Sequence, residues 1–357
     1  MQQLSLKKKL LFSAIVVALF FVIIEIGLRI GIRILDKINT ENTVTNLFDT
    51  YERFDSDYII GLKENFRELD SQGNIALQIN SHGFRGPEFE AKKSAGTQRI
   101  FIAGDSVVFG IRPESCPYPA QLGALFQSKN MPHIEVINAG IEGTNSTQML
   151  QRLKKDILQY DPDTLLLAVG WNDIYTGIPG RFQGLWRFFN NFYTIKTYRR
   201  ILFTKIKPAL SEITESTTES NSEQTLRYRN FVPEAYIANI RSMREVAQQH
   251  HFQLVLVTLP HILGPNISEH ALKIIHYPHF TNDIKIIEIL ADRYNDTLRK
   301  LAQELQLPLI DLERHIEALP NKEPYFTDTI HTTCEGNTII ANFLYQELLR
   351  QELTKAL

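Results

Sequence analysis

The feature that most constrains this chain is Ile100-Phe-Ile-Ala103 running directly into Gly104-Asp105-Ser106, with Gly110 four residues after the serine. A continuous apolar run has no face to offer water, so it reads as a parallel strand covered by helices on both sides. The glycine turn then delivers Ser106 to the carboxyl edge of the sheet, where open α/β folds keep their crevice. Asp105 and Ser106 standing alone also suit a helix cap. The rest of the chain decides between a cap and a candidate nucleophile.

From Arg99 onward strands and helices alternate. Apolar runs predict strands at 100–103, 134–138, 163–169, 253–259 and 307–311. Helical periodicity predicts helices at 118–129, at 146–160 with Met149, Leu153 and Ile157 on one face, and at 232–250 with Tyr236, Ile240, Met243 and Ala247. A further helix near 286–306 carries Leu290, Tyr294, Leu298, Leu301 and Leu305, and the last carries Ile339, Ile340, Phe343, Leu344 and Leu348. Five strands, each followed by a helix, give one layered α/β domain with a mostly parallel sheet, expected over 99–350. The rhythm breaks at about 175–231. There an aromatic and basic portion, Phe182 to Lys207, passes into a polar run from Ser211 to Thr225 that cannot pack a core. Loops of this length serve as lids or binding loops or are disordered, and a helical excursion closing the apolar edge of the sheet is the plainer alternative.

Ahead of the domain, Lys7-Lys8-Lys9 precede an apolar run from Leu10 that resumes through Ile32. Residues 10–32 match the roughly 20 residues needed to cross a bilayer, and no small-x-small cleavage site follows. The segment therefore reads as an uncleaved signal anchor behind a short tail, 1–9. With nine residues on one side and more than three hundred on the other, the expected topology is single-pass with the large domain extracytoplasmic. Residues 33–98 read as a linker and a short hairpin prelude, in which Ile75 to Gln78 run toward a turn at Ser81-His82-Gly83. Arg85 stands close enough to that turn to be a candidate for steadying an anionic substrate group.

A net charge of −2 gives no electrostatic footprint for nucleic acid. The two cysteines, Cys116 and Cys334, are too few for a disulfide framework and lack zinc-site spacing. Two unpaired buried thiols are the plainer reading, with a single bridge near the crevice as the alternative. His261, His270, His276 and His279 crowd one loop, but no acidic pattern accompanies them as a metal site would require.

A serine that cleaves esters needs a base, a group to orient the base, and donors where the oxyanion forms. Each is available at a predicted strand end. Asn138-Ala-Gly-Ile-Glu-Gly143 follows the second strand and offers a backbone N–H; Gly170-Trp-Asn172-Asp173 follows the third and offers an amide; Asp328-Thr-Ile-His331 precedes the last helix. That all of them follow strands on one edge of one sheet favours chemistry over separate structural roles.

These residues resemble the SGNH hydrolases, also called GDSL-type esterases. Block I is similar to Gly104-Asp105-Ser106-x-x-x-Gly110, block II to Gly143, block III to Gly170-x-Asn172-Asp173 and block V to Asp328-x-x-His331. The likeness spans roughly 99–350. The anchor and the stretch Asn80-Ser-His-Gly-Phe-Arg85 resemble membrane-anchored members. The chain departs from the pattern in the long insertion after Asp173 and in Thr332, where the family often has proline.

The resemblance implies a three-layer α/β/α fold with a five-stranded, flavodoxin-like sheet. It also implies a triad of Ser106, His331 and Asp328, and an oxyanion hole built from Ser106, Gly143 and Asn172. Asp105 and Asp173 are expected to brace turns. No metal or cofactor is required. The expected activity is an anchored serine esterase or deacetylase acting on an acylated carbohydrate or lipid, such as the O-acetyl groups of a glycan. The alternatives are an O-acyltransferase using the same site and a non-catalytic, membrane-tethered binding or assembly protein.

Overall fold

The computed structural model describes residues 12, 13, 15, 16, 19–27, 30, 51–55, 59–175, 221–265, 267–278 and 280–354. The chain divides into two units, Met1–Thr50 with Pro179–Thr218, and Tyr51–Ile178 with Glu219–Leu357. In the first unit the described residues between 12 and 30 are helical. Among the described residues no helix is long and apolar enough to cross a membrane. Much of the expected anchor, the linker up to residue 50, the insertion from 176 to 220 and His279 lie outside the described residues.

The second unit opens with two antiparallel hairpins, β1 (Glu52–Asp55) with β2 (Ile59–Leu62) and β3 (Arg67–Leu69) with β4 (Ile75–Gln78). The sequence reading anticipated only the last of these strands. The β1 strand carries charge rather than an apolar pattern, and its buried Asp55 is paired with Arg53 and Lys155. Tyr51, Leu62, Leu77 and Ile79 form a small core with Phe109 and Ile141 of the main domain.

The main sheet comprises β5 (Gln98–Gly104), β6 (Ile134–Gly140), β7 (Thr164–Ala168), β8 (Gln253–Val257) and β9 (Leu309–Ile310). All neighbours are parallel and the order is β6-β5-β7-β8-β9. Every residue of β5 and β7 is buried, as unbroken apolar runs require. The chain passes from β5 to β6 on one side and then crosses back over β5 to β7 on the other, so the strand order reverses at β5.

Helices cover the sheet in two sets. On one side α2 (Tyr118–Ser128) packs against β6 and against the last helix, α10 (Cys334–Arg350). The other set is α3 (Ser146–Arg152), α6 (Glu234–Gln249) and α8 (Ile284–Leu305), with α6 touching both α3 and α8. Beyond Arg152 the expected helix continues as a π turn over Leu153–Ile157 and a 3-10 turn over Leu158–Tyr160, keeping Met149, Leu153 and Ile157 buried. Tyr236, Ile240, Met243 and Ala247 of α6, and Leu290, Tyr294, Leu298 and Leu301 of α8, are the buried faces that helical spacing predicts. At the far end of the insertion lies α5 (Asn221–Arg229), with Tyr228 buried, and the shorter helices are α4 (Trp171–Tyr175), α7 (Glu269–Lys273) and α9 (Leu312–Glu317).

Candidate active site

The carboxyl ends of three adjacent strands lie in one row, because Gly104 of β5 is in register with Gly140 of β6 and with Ala168 of β7. Ser106, Gly143 and Asn172 follow that row by two, three and four residues. The sheet edge thus brings together residues far apart in the chain.

Ser106 is the first residue of α1 (Ser106–Phe109). Asp105 caps this helix, its carboxylate accepting from the Val107 N–H at 3.0 Å. Burial pushes the Asp105 carboxyl up to about 6, against the Val107 N–H and the charge of His331, which favour its ionised form. The glycines below α1 are steric requirements. A Cβ on Gly104 would lie 2.2 Å from the Ala168 carbonyl oxygen, and one on Gly140 would lie 2.2 Å from the Phe109 nitrogen.

His331 and Asp328 stand on a loop closed by a bridge between Phe326 and Thr332 and by the Thr327 N–H donating to the His331 carbonyl at 2.8 Å. The Nδ1 of His331 is 2.7 Å from Asp328 Oδ2, and its Nε2 is 2.7 Å from Ser106 Oγ. An ionised carboxylate only accepts, so Nδ1 carries the proton and Nε2 accepts from the serine hydroxyl. Asp328 Oδ1 is held in turn by the N–H groups of Ile330 at 2.9 Å and His331 at 2.8 Å.

Burial acts to lower the His331 pKa, but the hydrogen bond and charge of Asp328 outweigh it, with Asp105 and Glu142 adding to the same side, so the imidazole is pushed above 6.5. For Asp328, burial acts to raise the carboxyl and is outweighed by its hydrogen bonds to the His331 side chain and to the two backbone amides, which hold it below 3.8.

Gly143 has a φ of +70°, the left-handed region that glycine enters without steric cost, and it is exposed. The Asn172 amide is fixed by donating Nδ2–H to the Thr144 carbonyl at 3.2 Å, which ties the third strand's turn to the second's. Asp173 reinforces this link, accepting from the Ser146 N–H at 2.8 Å and the Ser146 hydroxyl at 2.6 Å. Burial pushes the Asp173 carboxyl up to about 7, against those two bonds. Asp105 and Asp173 therefore both brace turns.

Several neighbours carried no sequence signal. Ser146 also receives the Asn239 amide at 2.8 Å, and the Tyr51 hydroxyl donates to Glu142 beside Gly143. Cys116 and Cys334 are joined in a disulfide, which corrects the reading of two free thiols; α10 begins at Cys334, so the bridge lies three residues along the chain from His331. Arg85 is also corrected. Its side chain is buried and occupied by backbone carbonyls and Glu114, so it does not present its charge to a substrate. Thr332, where proline was the expectation, donates its hydroxyl to Asn337 at 2.6 Å. Among the described residues no group of His, Cys, Asp and Glu is placed to hold a metal ion. His261 is buried near Lys322, and its pKa is pulled down to about 3, first by burial and then by that charge.

Over 82 residues the chain is 37% identical to the thioesterase 1/protease 1/lysophospholipase L1 of Escherichia coli K12; the match covers 23% of this chain and 38% of that protein, so the chain spans well under half the length of this curated relative. Among solved structures, a GDSL-like lipase from Bacteroides thetaiotaomicron is similar at 16% identity and a TM-score of 0.42, covering 71% of this chain and 89% of that one. An acetylxylan esterase from Geobacillus stearothermophilus is similar at 16% identity and a TM-score of 0.43, covering 70% of this chain and 94% of that one. The model of the GDSL-like lipase/acylhydrolase family matches residues 102–339, a span that runs from the strand leading into Ser106 to beyond His331. The chain belongs to the GDSL-like lipase/acylhydrolase family.

Proposed function

We propose that the chain is a serine esterase in which Ser106 is the nucleophile, His331 the general base and Asp328 the group that orients it. The observation that carries this reading is the unbroken pair of 2.7 Å contacts from the Ser106 hydroxyl through the His331 ring to the Asp328 carboxylate. Ser106 Oγ attacks the ester carbonyl as its proton passes to Nε2 of His331. The tetrahedral oxyanion is held by the backbone N–H groups of Ser106 and Gly143 and by the Asn172 amide, each donor contributing on the order of 100- to 1000-fold in rate. Collapse breaks the bond to the alcohol, which leaves with the proton from Nε2. Water then repeats the sequence on the acyl-serine, releasing the acid and restoring the hydroxyl.

The substrates proposed are uncharged acyl esters, such as the O-acetyl groups of a glycan. Asp328, Asp105 and Glu142 all bear on His331 with negative charge, which disfavours an anionic acyl group beside it.

Residues 10–32 are proposed as a single membrane-spanning anchor, with the enzyme on the extracytoplasmic side. Two observations support this. Phe12, Leu19, Phe20, Val22, Ile23 and Ile26 are exposed apolar side chains on the N-terminal helical residues, and the Cys116–Cys334 disulfide suits an oxidising compartment.

One experiment tests both parts. Membranes from cells making the full chain are treated with a fluorophosphonate probe, and hydrolysis of p-nitrophenyl acetate, a medium-chain acyl thioester and a lysophospholipid is followed. The expected result is a probe adduct at Ser106, absent from Ser106→Ala, with acetate ester turnover lost in the same variant. Unchanged turnover in Ser106→Ala would remove the serine from the mechanism. Release of the labelled band by an alkaline carbonate wash would remove the anchor.

A further inference from the structure

We infer that Arg85 is a positioning residue for the nucleophile, clamping the carboxyl end of the short helix that carries Ser106 from a segment outside the span that the family shares. The inference rests on Ser106 being the nucleophile. Arg85 precedes residues 102–339 in the chain and belongs to the hairpin prelude.

The need for a clamp follows from the length of α1. A four-residue helix has almost no ladder of its own: the Phe109 N–H donates to the Asp105 carbonyl at 2.9 Å and the Gly110 N–H to the Ser106 carbonyl at 2.8 Å. Helices this short are unstable without outside partners, and their last carbonyls are left open. Asp105 supplies the partner at the amino end.

At the carboxyl end one guanidinium supplies it. Arg85 Nη1 donates to the Phe109 carbonyl at 2.9 Å and to the Gly110 carbonyl at 2.7 Å, and Nη2 donates to the Ile111 carbonyl at 3.0 Å. Its Nε donates to Glu114 at 3.1 Å, and its Cζ lies 4.8 Å from the centre of the Phe109 ring. Phe109 is held on a further side by Tyr51, stacked at 5.4 Å.

The clamp is itself anchored to the sheet. The Arg85 backbone bridges to Ile79 on one side and to Asn138 of β6 on the other, and the Asn138 amide donates to the same Phe109 carbonyl at 3.2 Å. Glu114, the counter-charge, also accepts from the Gln78 N–H at 3.1 Å. Three consecutive carbonyls and a carboxylate thus converge on one planar, fully buried cation, a set that a guanidinium can serve and an ammonium cannot. A shift of about 1 Å in a reacting group can cost about 100-fold in rate, so freeing this end of α1 should be felt at Ser106 Oγ.

The test compares wild type, Arg85→Ala, Arg85→Lys and Glu114→Gln. The readouts are the rate constant for fluorophosphonate labelling of Ser106, kcat and KM for p-nitrophenyl acetate, and the denaturant unfolding transition. Arg85→Ala should be slower by about 10- to 100-fold in labelling and in kcat, with KM within about twofold. Methylguanidine should restore part of that rate, whereas Arg85→Lys should remain slow. If Arg85→Ala does not fold, Glu114→Gln decides: a fall in kcat at unchanged KM is expected, and wild-type kcat overturns the inference. Folded Arg85→Ala that is labelled at the wild-type rate, or a loss that methylguanidine leaves untouched and that follows the loss of stability, overturns it as well. Wild-type protein that takes no probe at Ser106 would remove the nucleophile reading, and this inference with it.

Discussion

His331 can accept the proton of Ser106 only as the neutral imidazole, and its environment works against neutrality. Burial lowers its pKa, but Asp328 more than offsets this, with Asp105 and Glu142 assisting, and the net shift is upward. Esterase activity should therefore rise with pH through a value above 6.5, read as the ascending limb of kcat/KM, which reports the free enzyme. Asp328→Asn should move that limb to lower pH and reduce kcat by roughly 1000- to 10,000-fold, since the orienting acceptor is gone. An unmoved limb in the variant would take Asp328 out of the pair. Stability runs the other way. Asp328, held below 3.8, stabilises the fold above that value and loses the effect as pH falls through its folded pKa; His331, raised above 6.5, stabilises below 6.5 and loses the effect as pH rises through its own. The pair is most stabilising between about 3.8 and 6.5, below the range in which it is most active.

At the scale of elements, α1 can lie against the sheet only because the strands beneath it end in glycine. A Cβ on Gly140 would meet the Phe109 nitrogen at 2.2 Å and the Phe109 Cα at 2.8 Å, backbone that cannot move aside alone. Gly140→Ala should destabilise the protein by about 1–3 kcal/mol and lower esterase turnover as α1 is pushed out. Gly123 within α2 is the contrast, because its Cβ would meet nothing nearer than 3.6 Å; Gly123→Ala should stabilise by about 0.5–1 kcal/mol and leave turnover alone. Denaturant midpoints for the two variants check the pair, and shifts of the same sign would refute the steric account. Parallel strands and amphipathic helices are legible in sequence because burial repeats at a fixed period, as in Tyr236, Ile240, Met243 and Ala247. The row of site residues is legible because a glycine or polar turn after each apolar run marks the carboxyl end of a strand. The β1–β2 hairpin is not, since its charged Asp55 is buried against Arg53 of the same strand and against Lys155, a hundred residues away. Arg85 is opaque for a related reason: three of its partners are backbone carbonyls, and any residue type presents those.

For the whole molecule, one covalent link joins the two ends of the proposed catalytic apparatus. Cys116 follows α1 and Cys334 comes three residues after His331, so the bridge spans 218 positions and encloses most of the domain. Gln121 reinforces it, its amide donating to the Cys116 carbonyl at 2.8 Å and to the Cys334 carbonyl at 3.1 Å. Closing so long a loop removes entropy from the unfolded chain worth on the order of 5 kcal/mol in the chain-entropy model. Reduction, or Cys116→Ser with Cys334→Ser, should therefore lower unfolding stability by about 2–5 kcal/mol, and added reductant should cost the double variant nothing further. Activity per folded molecule should fall far less than stability. The base is set within its own loop by the Asp328 bonds to the Ile330 and His331 amides, and none of those bonds runs through the sulfurs. Urea unfolding with and without reductant, read beside the acetate ester assay, separates the two effects. Lost turnover at an unmoved midpoint would mean that the bridge aims His331 rather than holding the domain together.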